Sequence, residues 1–190
     1  MSKGRLEAFS DGVIAIILTI MVLELKTPDQ GTLAALRPLI PKFLSYILSF
    51  VFISIYWNNH HHLWQAAKHV NGAILWANLH LLFWLSLIPF VTGWMGEHFS
   101  AVPVAFYGGV LWFAGLAYYI MVRAMLTQHG QDSLLASAIG NKQKEMMSLY
   151  IYTAAIPLAF VAAWISALLY VVVAVMWLVP DRRIETRLKK

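Results

Sequence analysis

Two groups of residues in this chain have types that could do chemistry. The first is a set of histidines: His60, His61 and His62 in a row, with His69 and His80 further on. Neutral imidazole is a common metal ligand, so such density suggests a metal site. The spacing argues against it. Successive helical residues point about 100° apart, so three in a row cannot converge on one ion. No acidic ligand lies close in sequence, and the repeated H-x-x-H-H boxes of membrane di-iron desaturases are missing. The histidines therefore read as members of hydrogen-bonded networks, with pH sensing by one of them the remaining chemistry. No metal, cofactor or catalytic set is expected.

The second group is Arg5, Glu7, Ser10 and Asp11, directly before the uncharged run Gly12 to Leu23. Ile16, Ile20 and Leu23 recur at i, i+4 and i+7, so they share one face of a helix. A charge left unpartnered in lipid costs roughly 2.5–3.5 kcal/mol even on the lowest scales. This helix must then face protein and water rather than serve as a plain anchor. Arg5 and Asp11 are about 240° apart round the helix, so their partners belong to other helices. A helix held at one end by polar contacts, then uncharged for about three turns, suits the lining of a pore.

The elements that must position these residues follow from composition. The chain has 190 residues, 60% hydrophobic and 12% charged. Soluble domains carry about 25% charged residues. The apolar residues fall in long blocks, so the fold class is an all-α membrane protein with six transmembrane helices. The expected spans are 5–25, 41–60, 72–95, 101–125, 146–163 and 165–179, forming a single domain over 1–190. Each provides most of the roughly 20 apolar residues a crossing needs. The polar run Asn58 to His62 is expected to close the second span, and Pro89 to kink the third or mark its end. Gly108, Gly109, Ala114, Gly115 and Ala117 are expected to let the fourth helix pack closely.

Met146 to Pro180 has no charge and is too long for one crossing, so it is expected to split near Ala163 to Ser166. With six spans and both termini cytoplasmic, Lys3, Arg5, Lys68, Arg123, Lys142, Lys144 and the five basic residues after Pro180 lie inside. Lys26, Arg37 and Lys42 lie outside. A five-span chain would move the C-terminal group outside, against the positive-inside rule. The net charge of +5 is then membrane topology, not a nucleic-acid surface. There is no cysteine, so thiolate chemistry and disulfides are excluded. Glu7, Asp11 and the absence of a small-x-small cleavage site argue against a cleaved secretory signal.

Arg5, Phe9, Ser10 and Asp11 form R-x-x-x-F-S-D at the start of the first helix. With Trp57-x-x-His60-His61, Trp76-x-Asn78, Pro89-Phe90 and a final Trp-Leu-x-Pro, this resembles the transmembrane protein 175 family. That family consists of potassium-permeable channels of endosomes and lysosomes, with prokaryotic relatives. The resemblance implies a homotetramer in the cell membrane, with the first helix of each subunit around a fourfold axis. It places the pore constriction at Ile16, Ile20 and Leu23, with the Thr19 hydroxyl beside it. It implies potassium and other monovalent cations as the permeant partners. Arg5, Phe9, Ser10, Asp11, Trp57, His60, His61 and Asn78 are assigned to a structural network that holds this helix. Glu24, at the outer end, could attract cations to the mouth. No T-V-G-Y-G filter exists, so the expected potassium preference is weak to moderate.

Two rivals remain at this level. A secondary transporter for protons or metal ions would use an ionisable group near the midplane, with His80 the candidate, but no internal repeat is found. A non-conducting membrane scaffold is the other.

Overall fold

The structure, a computed structural model, describes residues 3–129 and 142–178. Among them there is helix and no strand. Helix α1 is Lys3–Leu23. It buries Leu6, Ser10, Ile14, Ile17 and Met21, a stripe at helical spacing. A short 3-10 turn, Leu33–Leu39, leads into α2, Ile40–Ala66. Pro41 stands in the first turn of α2, where its missing N–H would have had no helical partner.

The structure corrects the expected end of this helix. Asn58 to His62 lies inside α2, which runs on to Ala66. Polar residues end a membrane helix only when they need water. Here Asn59 donates to the Ile55 carbonyl (2.8 Å), and His60 finds partners within the protein.

Helix α3 is Gly72–Ser86, capped by Asn71, whose side chain accepts from the Ile74 N–H at 2.9 Å. Helix α4 is Ile88–Glu97. The break between them falls at Leu87, two residues before Pro89. Proline has no N–H to continue the ladder, and its ring crowds the preceding turn. The two pieces still form one apolar segment, Gly72–Glu97. Helix α5, Ala101–His129, is the longest described. The uncharged block resolves into α6, Lys142–Leu158, and α7, Ala163–Leu178. The turn between them spans 159–162, slightly earlier than expected, and follows Pro157 in the last turn of α6. Residues 130–141 and the basic C-terminus, 179–190, lie outside the described residues.

Among the described residues, four segments are long and apolar enough to cross a membrane: Lys3–Leu23, Leu33–Ala66, Gly72–Glu97 and Ala101–His129. Helix α7 is apolar but has 16 residues. It is about 24 Å long, against a hydrocarbon core of about 30 Å.

The core centres on α5, which packs against α3, α4, α6 and α7. A buried chain of hydroxyls pins its N-terminal half. The Tyr107 hydroxyl donates to Ser49 (3.0 Å), Ser49 to Thr92 (2.6 Å), and Thr92 to the Ile88 carbonyl (2.6 Å). The order is set by its end, because a carbonyl can only accept. Ala114 and Ala117 are fully buried, and a Cβ on Gly108 would overlap the Tyr170 hydroxyl. Gly109, in contrast, faces open space. Gly108→Ala should therefore cost about 1–3 kcal/mol of stability by overpacking, and Gly109→Ala should cost nothing or stabilise. Thermal unfolding of the two variants in nanodiscs checks this. An equal effect at both sites would contradict the packing described.

Candidate functional site

Helix α1 packs against α2, α3 and α4 with one face and leaves the opposite face open. Ile16, Ile20 and Leu23 lie on the open face, at 58%, 42% and 78% exposure. At 100° per residue, Gly12, Ile16, Ile20 and Leu23 fall within about 40° of one line. Arg5 and Phe9 continue that line toward the N-terminus, and both are exposed. Thr19 flanks it. Its hydroxyl donates to the Ile16 carbonyl at 2.8 Å, so the proton is committed to the helix and the oxygen lone pairs face outward.

The buried face is held by a polar bridge. Ser10 is fully buried and its hydroxyl donates to the Leu6 carbonyl (2.9 Å). The Asn78 amide on α3 donates to Ser10 Oγ at 3.0 Å. Its oxygen lies 2.8 Å from His60 Nε2 on α2. One short chain thus joins three helices. The Trp64 indole N–H also points at His60 Nε2, from 2.7 Å. An indole nitrogen can only donate, so a protonated Nε2 serves Asn78 and a bare Nε2 serves Trp64. His60 Nδ1 is buried without a hydrogen-bond partner among the described residues.

A second bridge lies nearer the end of α1. The Trp57 indole donates to Asp11 Oδ1 at 3.0 Å. Trp57 stacks on His61, with ring centroids 5.7 Å apart. His61 Nδ1 faces Glu7 Oε1 at 3.5 Å, and the Gln65 amide donates to His61 Nε2 at 2.8 Å. Both acids of α1 are therefore held by α2.

Of the residues assigned to this network from sequence, Ser10, Asp11, Trp57, His60, His61 and Asn78 come together. Arg5 and Phe9 do not. Phe9 is 51% exposed, and Arg5 makes no side-chain hydrogen bond or ion pair among the described residues. Glu7, Trp64 and Gln65 are partners the sequence reading left out. Helical spacing could have found them. Glu7 stands one turn from Asp11, Trp64 one turn from His60, and Gln65 one turn from His61.

At the C-terminal end of α1, an open cleft of about 560 Å³ lies between α1 and the α3–α4 break, lined by residues that include Ile20, Glu24, Ser86, Pro89 and Phe90. Glu24 is exposed there. Lys42 and Glu97 form an ion pair at 2.7 Å on the same side of the bundle. His80 accepts from the Trp84 indole of its own helix at 3.0 Å. Among the described residues, no three His, Asp or Glu side chains lie close enough to hold a metal ion.

Comparison with known proteins fits this helix arrangement. The family profile for the endosomal/lysosomal potassium channel TMEM175 matches residues 5–89, from the start of α1 into α4. A potassium channel of Chryseobacterium sp. (strain P1-3) is 53% identical over the whole of both chains. The chain belongs to the TMEM175 family. Its fold also matches the crystal structure of a lysosomal potassium-selective channel TMEM175 homologue from Chamaesiphon minutus. The TM-score is 0.79 at 27% identity, covering 92% of this chain and 95% of that one. The cattle endosomal/lysosomal proton channel TMEM175 is 27% identical over 84% of this chain, which spans only 37% of that longer protein. Membership of this family makes the chain a membrane-embedded channel protein.

Proposed function

We propose that this TMEM175 family member is a potassium-permeable cation channel, formed by a homotetramer with α1 of each copy around a central axis. The observation that carries the reading is the two-faced packing of α1. One face is locked by the Ser10–Asn78–His60 bridge, while the line of Ile16, Ile20 and Leu23 is left open along the same helix. The relatives described as potassium channels support the choice of ion.

In such an assembly one isoleucine from each copy forms a dry ring. A ring of that kind blocks ions by dewetting until it widens. Thr19 offers oxygen lone pairs beside the ring and can replace part of an ion's hydration shell. Flexible side-chain oxygens discriminate less than a rigid cage of carbonyls, so the potassium preference is weak to moderate. Glu24 raises the cation concentration at the outer mouth. The termini are cytoplasmic and the cell membrane is the site of action.

Because the chain has no cysteine, a single introduced thiol is unique. In this account a cationic thiol reagent blocks flux through Leu23→Cys protein. It leaves flux unchanged in Met21→Cys protein, where the side chain is buried against the bundle. Block at position 21 but not at 23 would place the ion path on the other face.

A further inference from the structure

His129, the last residue of α5, makes bonds that only a neutral imidazole can make. Its Nε2 lies 2.9 Å from the backbone N of Lys68 and 3.1 Å from that of His69. Both N–H groups donate to it. Its Nδ1 lies 2.9 Å from the Met125 carbonyl oxygen, which can only accept, so Nδ1 carries the proton. Donors and acceptors together fix the tautomer. A second proton has one place to go, Nε2, and would set an N–H against two N–H groups.

The bonds join separate parts of the fold. Lys68 and His69 belong to the connection between α2 and α3, residues 67–71. Next to them, the Asn71 amide donates to Gln128 Oε1 at 2.7 Å while its own oxygen caps α3. The His69 ring lies flat against the His129 ring, with centroids 6.4 Å apart and planes 12° from parallel. Among the described residues, the charged and titratable groups on the surrounding elements are Lys68 and His69 on the connection, Arg123 on α5 and Lys3 on α1, which reaches the Gln65 carbonyl at 3.5 Å. Lys144 and Glu145 stand in the first turn of α6, which packs along α5.

We propose that His129 is a proton-operated latch. Neutral, it ties the α2–α3 connection to the end of α5. Protonated at Nε2, it repels both backbone donors and releases the connection. The latched state cannot take up this proton and keep its bonds, so acid shifts the equilibrium toward release. Release acts on the pair of helices that holds α1, since α2 carries His60 and α3 carries Asn78. The inference does not rest on ion permeation, and its test reads the connection rather than flux.

Lys68 takes part only through its backbone N–H, which a Lys68→Cys substitution keeps. A spin label at this unique thiol, on protein in nanodiscs, reports how mobile the connection is. Its mobile fraction should at least roughly double between about pH 8 and about pH 5.5. In a His129→Phe background it should be mobile at both. With His69→Ala the pH step should persist, because the backbone N–H of residue 69 remains. Equal mobility at both pH values in otherwise native protein would overturn the latch. So would a step that survives His129→Phe, or one that vanishes in His69→Ala, which would move the titration to His69.

Discussion

Ile16→Asn protein is expected to leak potassium at rest about tenfold faster than the native chain, or more. In the proposed tetramer the isoleucine ring excludes water, because a branched alkyl group offers it no hydrogen bond. An asparagine amide does, and a bare polar group in a dry site costs about 1–3 kcal/mol on protein scales. Relief of that order for each copy, felt as a lower barrier to wetting, corresponds to at least one decade in rate. Ile16 is 58% exposed on the single chain, so the substitution leaves the packed face of α1 untouched. Stability should stay within about 0.5 kcal/mol of native. An unchanged leak in well-folded, assembled protein would remove Ile16 from the gate.

Asn78→Leu is expected to cost about 2 kcal/mol of stability, the larger of two contrasting losses. Leucine has the branched shape of asparagine and is somewhat bulkier, so no cavity forms. Both amide bonds go, however, and Ser10 and His60 are left buried with fewer partners. Leaving a buried polar group unpaired costs more than a hydrogen bond contributes. Asp11→Ala, in contrast, loses one half-exposed bond to Trp57, and single bonds between membrane helices average about 0.6 kcal/mol. Eight tryptophans per chain make unfolding easy to follow by fluorescence. Adding Ser10→Ala to Asn78→Leu should recover part of the loss, because it removes a buried hydroxyl oxygen that has lost its donor and keeps only its bond to the Leu6 carbonyl. If Asp11→Ala proves more damaging than Asn78→Leu, the anchor of α1 is the Trp57–Asp11 bridge and not the buried one.

The all-helical class and the open line on α1 were legible because they rest on local rules. Long uncharged runs mean membrane helices, and i, i+4, i+7 spacing fixes a face whatever packs against it. The end of α2 was not legible. Asn58 to His62 looks like a stop, and only Asn78, 18 residues beyond His60, turns it into the interior of a helix. The α6–α7 turn was misplaced by a few residues because a block without charges gives periodicity nothing to mark. Pro157 was the available signal. Ser10, Asp11 and His61 were recognisable as groups needing partners, since buried polar groups in a membrane must be satisfied. Which partner each would find depended on helix register, which composition does not encode. Arg5 follows the same logic and still stands apart within one chain.

Potassium efflux from liposomes holding the purified native protein, with and without sodium as competitor, reads conduction by the proposed pore. Efflux at channel rates is expected, with potassium moving a few-fold faster than sodium and a further rise with Ile16→Asn. Assembled protein that passes neither ion, and that stays silent when Ile16→Asn wets the ring, would contradict it.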